Sequence, residues 1–266
     1  MKFPKSQNPT AEMPFLDHLE ELRWRILWSL LALIVLSMAS FFAIIQFDVI
    51  GLLKQPIDPY LVERGGKLIF LGVTEPFFVS LKLAVTLGIV LASPIIFYQV
   101  WAFLSPALSK RERRAIIPAL YLGVLLFLAG AALAYFVALP FTLHFMLTFQ
   151  AESLEPQITA GLYFSFVTKL LLGFGVMFEM PVVVLVLTAI GVTSSKFLAS
   201  KRRYAVAGMA ILSSMITPGD AITATIILMG PLLLLYEFSI LLAKLVEKGR
   251  RKSLEQEALE SGAIDA

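Results

Sequence analysis

Long uncharged apolar runs alternate with short charged clusters along this chain. Ile26 to Phe47 carries no charge over 22 residues, and Ala115 to Ala151 carries none over 37. A helix on the surface of a soluble domain would return a polar face every turn. Runs of about 18 or more apolar residues read as transmembrane helices instead. Six spans are predicted, at roughly 26–47, 77–104, 115–139, 161–190, 204–217 and 221–246. They read as helices because they are long and rich in Leu, Ala, Ile and Met, and because backbone groups in lipid must be satisfied within the segment. The expected fold class is all-α, a polytopic integral membrane protein. Its last two spans are short. Tyr204 to Ile216 has 13 residues, about 20 Å of helix against a hydrocarbon layer of about 30 Å. Ala221 to Tyr236 adds 16 before Glu237. The pair fits a re-entrant hairpin or a locally thinned bilayer.

The connecting segments have patterns of their own. Residues 13–26 read MPFLDHLEELRWRI, with Phe15, Leu19, Leu22 and Ile26 at spacings of four, three and four. That spacing predicts an amphipathic helix on the membrane surface, with Pro14 in its first turn. The stretch VIGLLKQPIDPYL, 49–61, predicts a short helix broken at Pro56 and Pro59. Three regions follow: an N-terminal segment 1–25, a transmembrane domain 26–246, and a polar tail 247–266 that should fray. The polar start, with Asp17, Glu20 and Glu21, does not resemble a cleavable signal.

Charge supplies orientation. Of 22 Lys and Arg, 17 fall at the N-terminal segment, the loops after spans two and four, and the C-terminal end. Lys54, Arg64 and Lys67 fall on the other side, and Lys82 and Lys169 lie inside spans. The asymmetry places both termini in the cytoplasm. Trp24, Trp28 and Trp101 should form an aromatic belt at that boundary. Composition agrees: 58% of residues are hydrophobic and only 15% are charged, where a soluble chain would carry about a quarter. There is no cysteine, which excludes disulfides and thiol chemistry. The basic excess follows from topology and calls for no nucleic acid.

The sequence holds no phosphate-binding loop, no H-E-x-x-H and no G-x-S-x-G. His18 and His144 lie far apart and on opposite faces, so no metal site is expected. The chain is therefore read as binding or moving something, not as an enzyme, and no cofactor is expected. Ionisable groups inside spans are costly and are the best pointers. Glu179, in GFGVMFEMPVVV, is deep in span four. It fits either a functional role or a satisfied structural hydrogen bond. Lys169, ten residues earlier, is about 80° away in azimuth and 15 Å in height, so the two are no intrahelical pair. Lys82, near an outer helix end, can snorkel. In SKRERRAIIP, 109–118, four bases surround Glu112. The bases fit a topology signal touching anionic headgroups, which leaves the acid unexplained.

HLEELR (18–23), ASPIIFYQVWAFLSPALSKRERR (92–114), FGVMFEMP (174–181) and TPGD (217–220) closely resemble the TatC family, from about residue 13 to 246. TatC proteins are receptor subunits of the twin-arginine protein translocase in the bacterial inner membrane. The resemblance implies binding of paired-arginine signal peptides at the cytoplasmic face and association with small single-span TatA and TatB-type subunits. It also implies export of folded proteins on the proton-motive force. It assigns recognition of the arginine pair to Glu21 and Glu112, and contact with the signal's apolar part to Phe103. Arg23 matches the family's N-terminal arginine. Pro56, Glu179 and Asp220 match other sensitive positions. Lys169 has no place in the family pattern. Further expected partners are membrane lipids and more copies of the chain. Chemically, a planar guanidinium suits a carboxylate, and two arginines need two. The competing class is a proton-coupled secondary transporter with Glu179 as relay. Against it stand the missing inverted repeat and the acidic motifs outside the spans.

Overall fold

The computed structural model of the chain describes residues 15–63, 66–105, 110–148, 157–216 and 223–260. Helix α1, Phe15–Gln46, has 32 residues. Nothing between Phe15 and Gln46 is Gly or Pro, so nothing ends the helix at the membrane surface. The expected separate surface helix is thus the first turns of α1 itself. At about 1.5 Å per residue α1 is some 48 Å long, well beyond the hydrocarbon thickness, so its polar start stands outside lipid.

On the outer side, α2, Val49–Lys54, and α3, Asp58–Glu63, flank a turn at Gln55–Ile57. Asp48 caps α2 by accepting from Gly51 N at 2.9 Å. Pro56 separates the two helices. Pro59 does not break anything, because it sits in the first turn of α3, where its missing N–H goes unnoticed.

Helix α4, Glu75–Leu104, crosses back and packs along α1. The approach is close: a Cβ on Gly88 would stand 2.1 Å from Ser37 Oγ. Small residues at a crossing let lipid-embedded backbones meet.

The third span is longer than the sequence pattern suggests. Helix α5, Lys110–Leu133, passes through a π-helical turn, Ala134–Ala138, into α6, Leu139–Thr148. Pro140 reads as a stop, because its ring clashes with the carbonyl four residues back. The wider turn just before it absorbs that clash, and Leu139 N–H bonds Ala134 O, five residues back. The fourth span divides in two, α7, Ala160–Phe178, and α8, Met180–Ala189. The break falls at Glu179, one residue before the Met180–Pro181 pair.

Helix α9, Ser195–Ser200, is a cytoplasmic turn capped by Ser194, and α10, Arg202–Ile216, is the short fifth span. Its 15 residues give about 22 Å. Helix α11, Thr223–Glu260, runs 38 residues, so the part of the tail from Glu247 to Glu260, expected to fray, continues the last span as helix. Five described segments are long and apolar enough to cross a membrane: 17–46, 75–104, 118–148, 160–189 and 229–249. With the short α10 they make up the six-span, all-α architecture.

The main core gathers Leu83, Leu139, Phe164, Leu170 and Phe174, with Ile57 of the outer turn fully buried among them. Helices α5 and α7 touch through glycine. A Cβ on Gly130 would meet Phe174 O at 2.7 Å, and one on Gly175 would meet Phe127 Cε2 at 2.7 Å. A smaller cluster of Trp101, Ala119 and Val182 sits apart from it. Trp101 is therefore not a belt residue: it is 5% exposed, whereas Trp24 and Trp28 are half exposed. The indole lies on the face of α4 turned towards α5 and α8, and packing there outweighs its affinity for the interface.

Candidate functional site

The cytoplasmic ends of α1 and α4 bring two of the expected residues, Glu21 and Phe103, into one cluster. Glu21 and Arg25 lie one turn apart on α1, the spacing at which side chains meet. Arg25 donates from Nε to Glu21 Oε1 at 2.9 Å, and its Nη2 donates to the same oxygen. Arg25 Nη1 also reaches Gln99 Oε1 of α4, at 3.4 Å. The carboxylate is thus tied down from one side only. Its second oxygen, Oε2, is buried and has no hydrogen-bond partner, with His18 Nδ1 3.8 Å away. The His18 ring lies flat on Phe103, centroids 4.4 Å apart and planes 12° from parallel. Phe103 is thereby held half-buried beside the carboxylate.

Arg23 is exposed and stands about 200° around α1 from Glu21, so it does not join this cluster. Glu112 lies in the first turn of α5. Its side chain, with those of residues 106–117, falls outside what the structure describes. Three members of the cluster were not singled out from sequence as site residues. Arg25 was readable in the Glu21–Arg25 spacing, but was counted only towards topology. His18 enters the sequence reading only as an excluded metal ligand. Gln99 carried no local signal, since only the α1–α4 crossing brings it in.

Glu179 occupies the junction of α7 and α8. Its carbonyl accepts from Val182 N and Val183 N, each at 3.0 Å, and starts α8. Its Oε1 is buried without a hydrogen-bond partner among the described residues. A Cβ on Gly123 of α5 would stand 3.1 Å from Oε2, so the small residue makes room for this carboxylate. Lys169 is exposed and forms no ion pair with it.

On the outer side, Pro56 belongs to a cap fastened from several directions. Tyr135 OH donates to Leu52 O at 2.5 Å, and Tyr163 OH to Leu53 O at 2.8 Å. Both hydroxyls bond carbonyls at the end of α2, Leu53 O and Leu52 O, the latter also accepting from Gln55 N at 3.2 Å. Residues 66–74 join the second outer loop through the Ile69–Thr159 bridge, where Ile69 N bonds Ile158 O at 3.1 Å and Ala160 N bonds Ile69 O at 2.8 Å. Glu75 completes the joint: Oε2 accepts from Leu71 N and Gly72 N, and Oε1 accepts from Gly161 N at 2.7 Å. Asp220 lies outside the described residues.

The protein-family model for Sec-independent protein translocase protein (TatC) matches residues 17–231. The chain belongs to the TatC family. A TatC protein from Aquifex aeolicus is 40% identical over 243 residues, 90% of this chain and 98% of that one. The TatC proteins of Carboxydothermus hydrogenoformans and Escherichia coli K12 are 37% and 36% identical, over 90% of this chain and 98% and 92% of theirs. A crystal structure described as the twin-arginine translocase receptor TatC superposes with a TM-score of 0.73. It is 40% identical and covers 86% of this chain and 99% of that chain. A second, determined in the detergent DDM, gives 0.74 at 39% identity. The chain is a core subunit of the twin-arginine translocase, a multi-pass protein of the bacterial inner membrane. Membership does not favour the transporter reading.

Proposed function

We propose that the cytoplasmic ends of α1 and α4, with the first turn of α5, form the docking surface for twin-arginine signal peptides. The observation that carries this is the state of Glu21. Its carboxylate is oriented by Arg25, yet Oε2 is buried with no hydrogen-bond partner. Leaving a charged oxygen in that condition is costly unless something arrives to use it. A guanidinium fits, because it is planar and its paired N–H groups match a carboxylate. The Phe103–His18 stack offers an apolar plate beside it for the hydrophobic part of the signal. Glu112 supplies the second carboxylate on the same face.

The reading includes TatA and TatB-type single-span partners, further copies of this chain, and cargo movement driven by the proton-motive force. The chain itself performs no bond-making step. Pro56, Glu179 and Asp220 act after recognition, in the movement of cargo, and not in the grip on the arginine pair.

The test is titration of a twin-arginine peptide carrying a photocrosslinking side chain onto the purified full-length chain and its Glu112 variants. Glu112→Ala removes stable binding while the protein still inserts, and Glu112→Asp is intermediate because the shorter stem misplaces the fork. Undiminished crosslinking to the Ala variant would overturn the assignment. A paired-lysine peptide that bound as well as the paired-arginine one would show that charge alone is read.

A further inference from the structure

Lys82 and Lys169 are exposed cations inside membrane spans, on the side of the bundle where the positive-inside rule leaves few. Neither has a part in signal recognition. They belong to one cluster. Helices α4 and α7 run side by side from the outer face in matched register: Glu75 bonds Gly161 N, Lys82 Nζ donates to Ser165 Oγ at 2.6 Å, and Thr86 Oγ1 meets Thr168 Oγ1 at 3.2 Å. Ser165 and Lys169 are one turn apart on α7 and so share a face, with Cβ atoms about 5–6 Å apart. One ammonium thus bonds the Ser165 hydroxyl, and a second lysine shares that hydroxyl's face of α7.

No acid among the described residues pairs with either lysine. Glu75, the acid nearest in register, is engaged by three backbone N–H groups. The cluster has a net double positive charge and no internal counterion. Ser165 Oγ donates its one proton to Gly161 O and so serves to hold the Lys82 ammonium in place. We propose that Lys82 and Lys169 bind the phosphodiester headgroup of an anionic lipid in the outer leaflet.

Depth selects a headgroup over a protein carboxylate. The spans containing these lysines are 30 residues each, about 45 Å of helix around a hydrocarbon layer of about 30 Å. The hydrocarbon boundary thus falls about 7 Å in from a helix end. Ser165 lies five residues past Ala160, about 7.5 Å in. The Lys82 ammonium, drawn up to Ser165, therefore stands at the level of lipid phosphates. Lys169 lies nine residues past Ala160, about 13 Å in, and its stem of about 6 Å can raise its charge to that same level. A carboxylate on a spanning partner helix would be met deeper, within the apolar layer, where both lysines would have to point down.

The experiment is native mass spectrometry of the full-length chain released from nanodiscs of either phosphatidylglycerol or phosphatidylethanolamine. The wild-type chain retains phosphatidylglycerol in preference. Each neutralised lysine weakens that retention about fivefold, so K82Q/K169Q loses about 25-fold and phosphatidylethanolamine retention is unmoved. K82R/K169R keeps the preference, since both charges remain. Lys169 makes no hydrogen bond across to another helix, so K169Q alone, at about fivefold, decides the matter if the double variant fails to insert. Unchanged phosphatidylglycerol retention in K169Q overturns the proposal, as does an equal loss of both lipids. Unchanged lipid retention together with lost co-purification of a single-span subunit would assign the cluster to a partner's carboxylate instead.

Discussion

At the outer end of the bundle, two tyrosine hydroxyls and one carboxylate bond main-chain groups of other segments. At the cytoplasmic ends of α1 and α4, one carboxylate is held from a single side and keeps a buried oxygen unused. The outer contacts each join elements far apart in sequence: Tyr135 to α2, Tyr163 to α2, and Glu75 to the start of α7. The contact that orients this carboxylate joins neighbours one turn apart on α1, whereas α9 and α11, on the same side, are tied across the chain by Ser195 N to Glu247 Oε1 at 2.7 Å and Tyr236 OH to Leu198 O at 2.8 Å. Long-range main-chain bonds fix the positions of helices. A local side-chain pair fixes only a side chain. The outer cap is therefore scaffold, and the cytoplasmic cluster is a surface held ready for something else to complete it.

The largest expected effect lies at the recognition end. Glu21→Ala removes the oriented carboxylate and should weaken twin-arginine peptide binding about 100-fold, near 2.7 kcal/mol, within the range for truncating one side of a hydrogen-bonded charge pair. The melting midpoint should move little, because a partly exposed i,i+4 pair contributes only tenths of a kcal/mol. A large loss of stability with intact peptide affinity would reverse the roles assigned to the two ends.

Next comes the α5–α7 contact. Gly130→Ala places a Cβ 2.7 Å from Phe174 O, a backbone atom that cannot swing aside. The helices must part, at a cost of about 2 kcal/mol. Denaturation in detergent should report it, while peptide affinity measured on the folded fraction stays at the parent value. An unchanged melting curve would show that the contact has slack.

Tyr135→Phe is milder and acts on the cap itself. It deletes the bond to Leu52 O and should lower stability by about 1 kcal/mol. Proteolysis of the outer loop should accelerate, again with no change in peptide binding. If binding fell with it, the two ends would be coupled and the division between scaffold and reader would fail.

Much of this contrast could be read from sequence at one end and little at the other. The spans announce themselves because charge inside lipid is costly, so 75–104 was legible almost to the residue. The Glu21–Arg25 pair was legible too, since helical spacing is local. The outer cap was not. Nothing near Glu75 says that its carboxylate will reach Gly161, 86 residues on. The end of the third span, expected at 139, was set too early for a related reason: a π-turn just before Pro140 lets the helix continue to Thr148. Trp101 was misplaced because interfacial preference is a surface average, while burial depends on which face of α4 meets α5 and α8.

The smallest expected effect is the sharpest test of what an incomplete site means. Arg25 now occupies the Glu21 oxygen that an incoming arginine would share. If it is a placeholder, loosening it should help the peptide. Arg25→Lys keeps the charge, so topology and the local field are preserved, but a lysine is a point donor and cannot hold both Oε1 and Gln99 in one plane. The pair it weakens has the i,i+4 geometry and partial exposure of contacts that contribute about 0.3–0.5 kcal/mol. Releasing that much should tighten peptide binding about twofold, seen by titration against the parent protein at one salt concentration. The opposite sign is equally readable. If affinity falls, Arg25 is positioning the carboxylate rather than competing for it, and the cytoplasmic end is more rigidly prepared than its single-sided bonding suggests.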